Sequence, residues 1–299
     1  MDKHIQHTSA VFCILMEIQA VCKAYNIDRV KCGPRPEYPD SFIISLIIIK
    51  NLLGMNSESS FLRHLRNNYQ TTFTKLPEQS WFNRKSKRLQ SICMSLQQQL
   101  TLTHLQDTIR IVDSTPVPVV KLYRGGYTPC FKRGIETNFG YCASKKEYYY
   151  GVKLSLFITP EGVITNIGVH PANRHDLVAA KAVLQDMDIT NLRLVGDKGY
   201  YDGELRATLD AHGGHLSVPD KKRHTQFMTP EDRQLLAKRS LIETVNEQLK
   251  AHMKIHETLA QSYTGLMSRL WSAILAFTFA QYLNRKLGRS LLAVKSLLV

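Results

Sequence analysis

The 299 residues suffice for one large domain or two to three small ones, and a 43% hydrophobic content supports a real core. Lysine and arginine total 39 against 25 acidic residues, and the formal charge of +14 favours a polyanionic partner, nucleic acid ahead of a membrane surface. A membrane span is excluded, because Lys50 interrupts residues 42–53 and Arg269 bounds 270–280, leaving no apolar run of the necessary length.

The opening Met1-Asp2-Lys3-His4 lacks the charged-then-apolar pattern of an export signal. Cys13, Cys22, Cys32, Cys93, Cys130 and Cys142 form no CxxC pair, so reduced thiols in a cytoplasm are expected and no chemistry is assigned to them. Residues 1–107 read as mostly helical, with apolar stretches over 11–25 and 42–53 separated by Cys32-Gly33-Pro34-Arg35-Pro36. Phe61-Leu62-Arg63-His64-Leu65-Arg66 sets apolar and basic residues at helical spacing, and a further helix over 81–100 opens with Arg84-Lys85-Ser86-Lys87-Arg88. Small helices with basic faces are a common way to meet DNA, so this region is expected to bind it; a solvated face is the competing reading.

From residue 108 strands and helices alternate. Strands are expected over 108–112, 148–159, 163–170, 192–196 and 215–218, the second and third joined at Pro160-Glu161-Gly162. Helices are expected over 175–187, with Asn173 and Asp176 as candidate caps, over 203–212, and from Thr229-Pro230-Glu231 onward, with Thr229 as cap. This order predicts an α/β domain over 108–258: a mixed five-stranded sheet with helices on both faces. After the first strand comes an insertion carrying Lys121, Tyr123, Arg124, Lys132, Arg133, Tyr141, Lys145 and Lys146; cations among aromatics suit phosphate and base contacts. Residues 259–299 are expected to form a C-terminal helical extension.

Three carboxylates stand out. Asp113 closes Ile109-Arg110-Ile111-Val112, and Asp197 closes Leu192-Arg193-Leu194-Val195-Gly196, so each is expected at a strand end. Glu243 lies in a helical pattern over 235–253, with Arg239 four residues before it and Lys250 seven after, on one face with Asn246 and Glu247. Ile242, Val245, Leu249 and Met253 form the neighbouring stripe, which would pack on the sheet. Breaking a phosphodiester needs an activated water or hydroxyl, a stabilised leaving oxygen and neutralised charge at phosphorus; two hard cations on carboxylates supply all three. An Arg239–Glu243 ion pair is the plain structural alternative, and it explains neither aspartate. A zinc hydrolase built on His170, His175, His212 and His215 is the weaker reading, since His212 and His215 flank Gly213-Gly214, a helix end rather than a helix face.

The ordered carboxylates and the strand–helix order resemble the DDE transposases of bacterial insertion sequences. Arg239, Glu243 and Lys250 fall at the spacing of that group's glutamate helix, while its usual tyrosine is Leu236 here. Three further stretches look like the insertion-sequence family numbered 982: Ile111-Val112-Asp113-Ser114-Thr115-Pro116-Val117-Pro118, Tyr141-Cys142-Ala143-Ser144-Lys145-Lys146-Glu147-Tyr148-Tyr149-Tyr150-Gly151 and Gly196-Asp197-Lys198-Gly199-Tyr200. The resemblance implies an RNase H-like core in which Asp113, Asp197 and Glu243 bind two Mg²⁺ ions, Mn²⁺ being able to substitute. It implies nicking at the element's ends and transfer of the freed 3′-hydroxyl to target DNA, with Arg239, Lys250 and Lys198 on phosphate. The partners implied are double-stranded DNA, as terminal inverted repeats and target, and a second copy of the chain when ends are paired. The place of action implied is the bacterial cytoplasm, at the nucleoid. A nuclease that cuts without joining and a non-catalytic DNA-binding protein are the alternatives.

Overall fold

A computed structural model describes residues 3–28, 36–104, 106–128, 130–142, 145–219 and 230–297. Helices α1 (Lys3–Ala24), α2 (Asp40–Leu52), α3 (Glu58–Asn68), α4 (Gln79–Arg88) and α5 (Gln90–Thr101) precede strands β1 (Ile109–Val120), β2 (Asn138–Cys142), β3 (Glu147–Ile158) and β4 (Ile164–Pro171). There follow α6 (Asp176–Leu184), β5 (Arg193–Val195), α7 (Gly203–Ala211), β6 (His215–Ser217), α8 (Pro230–Ala237), α9 (Ser240–Ala251) and α10 (Tyr263–Lys286). They form two compact units, Met1–Leu100 with Gln248–Val299, and Thr101–Glu247. The expected break at Cys32-Gly33-Pro34-Arg35 and the expected cap Thr229 lie outside the described residues. Among the described residues no helix is long and apolar enough to cross a membrane.

The helical unit is built round two helices with no polar face. In α2 the run Ile43-Ile44-Ser45-Leu46-Ile47-Ile48-Ile49 is wholly buried, and α10 buries Leu266, Leu270, Ile274, Phe277 and Phe279. A helix that is apolar all round belongs inside a core, and α2 packs against α1, α4 and α10. The single helix expected over 81–100 is two, because Leu89 (φ −86°, ψ 1°) turns the chain between α4 and α5. The basic residues here have divided duties. Lys85 pairs with Asp40 at 2.6 Å and Arg66 donates to the Pro77 carbonyl at 3.2 Å, whereas Arg63, Arg84 and Arg88 are exposed. Buried Glu58 accepts from Gln79 at 3.1 Å and Asn83 at 2.9 Å and faces Arg269 at 3.6 Å. Beside it lies buried Lys50, which burial, reinforced by the Arg269 charge, holds down at about 8.

The second unit is a mixed sheet in the order β2-β3-β1-β5-β6, with β4 also on β3. β3 pairs antiparallel with β1, β2 and β4; β5 pairs parallel with β1 and β6. β3 is long enough to carry two partners end to end on one edge, β2 against 147–151 and β4 against 152–158. Among the described residues the sheet therefore has six strands rather than the five expected. The sixth, β2, comes from the insertion, where turn residues on both sides hid a five-residue strand. One face is covered by α6 and α7, whose Ala180, Leu184, Leu205 and Leu209 close on Val112, Phe157, Leu194, Leu216 and Tyr200.

Two expected boundaries move in ways that matter. β1 does not end at Asp113 but runs seven residues further to Val120. Pro116 and Pro118 make it look terminated, since proline cannot donate to a ladder. Past Ile111 the β5 side of β1 has no further partner among the described residues, and an open edge tolerates proline. The long glutamate helix is likewise broken. Leu241 and Ile242 donate to the carbonyls of Lys238 and Arg239, three residues back, a tightened turn that separates α8 from α9. The cap of α6 is His175, whose Nδ1 accepts from the Leu177 amide at 3.4 Å, rather than Asn173 or Asp176.

Candidate active site

The parallel pair β1–β5 sets the site. Its last register partners are Ile111 and Val195. Asp113 and Asp197 each lie two residues beyond that pair. Side chains alternate with period two, so the Asp113 carboxyl leaves the sheet on the face opposite Val112, away from α6 and α7. There β1 has lost β5, and the departing strand has room to turn. It does so at Asp197, whose Oδ1 accepts from the Gly199 amide at 2.7 Å and caps the short turn over Lys198–Tyr200. The two carboxylates are close enough for Asp113 to feel the charge of Asp197.

Asp113 is the strained member. Burial is the main cause that raises its pKa to about 6; the Ser114 amide opposes this, Asp197 and Asp176 add to it, and Arg239 opposes it. A half-buried carboxyl beside like charges gains from any cation placed against it. On the other face of β1, the Val112 side, Tyr200 is fully buried, with its hydroxyl 3.3 Å from Ser114 Oγ, which stands 3.0 Å from Ser155 Oγ. Burial pushes the Tyr200 phenol well above its usual range; the Ser114 hydrogen bond opposes this, and Asp113, Asp176 and Asp197 add to it, so it stays a neutral hydrogen-bonding group behind β1.

α9 reaches the same face of the sheet. Its buried Ile242 and Val245 lie on the packed side, and Asn246 Nδ2 donates to Asp113 Oδ2 at 3.1 Å. Glu243, one turn earlier on α9, is exposed and pairs with Arg239 at 3.4 Å. Arg239 stands in the tight turn before α9, yet the pair closes as i, i+4 spacing requires. Lys250 lies in the last turn of α9. Lys198 is exposed in the turn after Asp197. Lys132 and Arg133 are exposed before β2, with the Arg133 guanidinium 5.0 Å from the Phe139 ring centre; Lys145 and Lys146 are exposed in the turn before β3.

Asp113 and Asp197 are thus brought together, and α9 is anchored to Asp113 by Asn246 rather than by Glu243. Among the described residues no three histidine, cysteine or carboxylate side chains stand close enough together to hold a metal ion. The donors present still suit a hard divalent cation: two carboxylates on adjacent strand lanes, one of them raised in pKa chiefly by burial and further by its acidic neighbours. Of the histidines weighed for zinc, His175 caps α6 and His212 Nδ1 bonds the Thr208 carbonyl at 2.8 Å.

Two residues near the site carry no site role in the sequence pattern. Asp176, a candidate helix cap by its position, pairs with Lys153 at 2.9 Å and bears electrostatically on Asp113 and Tyr200. Asn246 is legible only as a neighbour of Glu243 on a helix face; its i+3 spacing is the available signal.

Residues 104–279, more than half of the chain, match the family described as the transposase DDE domain. No curated protein matches. A solved structure, the piggyBac transposase synaptic complex with hairpin DNA, aligns with 99% of this chain and 78% of its own at a TM-score of 0.46 and 10% identity. With the family matched across the whole strand–helix core that carries Asp113, Asp197 and Glu243, the chain belongs to the DDE transposases, enzymes of DNA recombination by transposition.

Proposed function

We propose that this transposase cuts DNA at the ends of its element and joins the freed 3′-hydroxyl to target DNA, using an RNase H-like core of the kind found in bacterial insertion-sequence family 982. The observation that carries the reading is the convergence of Asp113 and Asp197 two residues beyond the Ile111–Val195 register, with α9 tied to Asp113. The lane order of the sheet, with a long central β1 flanked by β3 and β5, supports the same core.

Asp113, Asp197 and Glu243 are the groups that would hold two Mg²⁺ or Mn²⁺ ions. Bound there, such cations would supply charge neutralisation at phosphorus and an activated oxygen nucleophile. The protein's own contribution is placement. Tyr200 and Ser114 brace β1 from its other face, and the Gly199 amide fixes the Asp197 rotamer. Arg239 offers a planar cation beside Glu243 for a phosphate oxygen. Lys198 adds to that positive lining and Lys250 holds a further phosphate, while Lys132, Arg133, Lys145 and Lys146 provide phosphate contacts further along the DNA. The helical unit binds the terminal repeats through faces such as those of Arg63, Arg84 and Arg88. Pairing two DNA ends calls for a homodimer, working in the bacterial cytoplasm at the nucleoid.

The test is cleavage of a duplex carrying the element's own inverted repeats, with and without Mg²⁺. Asp113→Asn, Asp197→Asn and Glu243→Gln are each expected to abolish cleavage while leaving DNA binding within about twofold, since metal ligation is lost and the basic surface is not. Wild-type cleavage in any of the three removes that residue from the site. Cleavage without joined product in the wild type would make the protein a nuclease that does not transfer strands.

A further inference from the structure

Asn246 is 4% exposed and stands on α9 one turn after Glu243. Its Nδ2 donates to Asp113 Oδ2 at 3.1 Å, while its Oδ1 is buried without a hydrogen-bond partner. Facing a carboxylate oxygen, the amide must present its N–H, so the orientation with Oδ1 left over follows from Asp113 itself. A buried amide oxygen with no donor is costly to maintain. It sits on the amide that touches Asp113, and therefore at the edge of the carboxylate site. Carboxamide oxygens are ordinary ligands of hard divalent cations and of the waters they carry.

We infer that Asn246 is a further cation-site residue: its Nδ2 positions the Asp113 carboxylate, and its Oδ1 takes a divalent cation or one of that cation's waters. The inference rests on the function proposed above and deepens it. It gives a polar reason for the register of α9: the Asn246–Asp113 bond sets the helix over β1, and with it the turn from which Glu243 projects. It also supplies an oxygen ligand beside Asp113, one turn along α9 from a glutamate that is itself paired with Arg239.

The experiment measures Mg²⁺ binding directly, by calorimetry and by the Mg²⁺-induced rise in melting temperature, alongside cleavage. Asn246→Leu keeps the branched shape and the number of heavy atoms and removes both polar atoms. It is expected to melt within a few degrees of wild type without metal, to need at least tenfold more Mg²⁺ for half-saturation, and to lower kcat with the DNA KM little changed. A variant with wild-type Mg²⁺ affinity overturns the inference, whatever its turnover. Asn246→Asp provides the second arm should the leucine variant fail to fold. It places a carboxylate where Oδ1 lies, so its Mg²⁺-induced rise in melting temperature should exceed the wild-type rise. An equal or smaller rise overturns the inference as well. The Asp113→Asn control keeps the two readings apart. If wild type binds no Mg²⁺, or if Asp113→Asn binds it equally well, the carboxylate site fails; if only Asn246 proves indifferent, the inference alone falls.

Discussion

Replacing Arg239 by alanine separates a helix ion pair from a catalytic cation. In the structure Arg239 meets Glu243 at 3.4 Å, with the two side chains 33% and 59% exposed. Pairs so open to water are worth roughly 0.3–0.5 kcal/mol. In a folded unit of this size that is a fall in melting temperature of about 1–2 °C. If Arg239 holds a phosphate oxygen beside the carboxylates, its removal misplaces the reacting group, and such losses reach about a hundredfold in rate. It would also withdraw the positive charge that opposes the burial-driven rise of the Asp113 pKa, leaving that carboxyl still readier to protonate. The expected result is a nearly unchanged melt with cleavage or joining down by well over tenfold, a barrier increase of at least about 1.4 kcal/mol. Arg239→Lys should restore part of the rate, since lysine brings the charge without the two-pronged planar donor. The assay is thermal unfolding and Mg²⁺-dependent turnover on end-sequence DNA for each variant. Wild-type turnover with a normal melt would refute the reasoning and leave Arg239 as the partner of Glu243 and nothing more.

Lys250→Ala should behave like Arg239→Ala, with a rate loss above about tenfold and an unchanged melt; equal turnover would return Lys250 to the solvated face of α9. DNA affinity should fall linearly on a log–log salt plot, and Lys132→Ala or Lys145→Ala should each flatten the slope by about one phosphate contact; salt-independent binding would contradict the phosphate-dominated interface. Lys50 is held down from 10.5 to about 8, chiefly by burial, so the folded state binds the proton less well than the unfolded one. The penalty is full below pH 8 and is relieved as pH rises from about 8 to 10.5; Lys50→Met should therefore stabilise at pH 7 by up to about 3 kcal/mol, with the gain shrinking toward pH 10 in denaturant titrations. Leu194 is fully buried beside the Asp197 turn, and Leu194→Ala should cost about 2–5 kcal/mol by denaturant unfolding; a loss below about 1 kcal/mol would mean that the core around β5 is loosely packed.

Much of the second unit is legible in the sequence. The largely apolar runs before Asp113 and Asp197 identify two buried strands, because strands covered on both faces read as near-continuous hydrophobic stretches. The spacing of Arg239 and Glu243 predicts their contact, because three and four residues bring side chains to one helix face. Local pattern does not say that β1 continues through Pro116 and Pro118, since whether a proline is tolerated depends on which neighbour is absent from its edge. Nor does it reveal β2, whose pairing partner on β3 sets its extent. The burial that unsettles Asp113, the fully buried Tyr200 on the other face of β1 and the bond from Asn246 across 133 residues of chain are properties of packing. Composition and periodicity fix which side chains a short segment offers to one side. Long-range contacts decide what those side chains meet, and it is that environment which turns a row of acidic residues into a site.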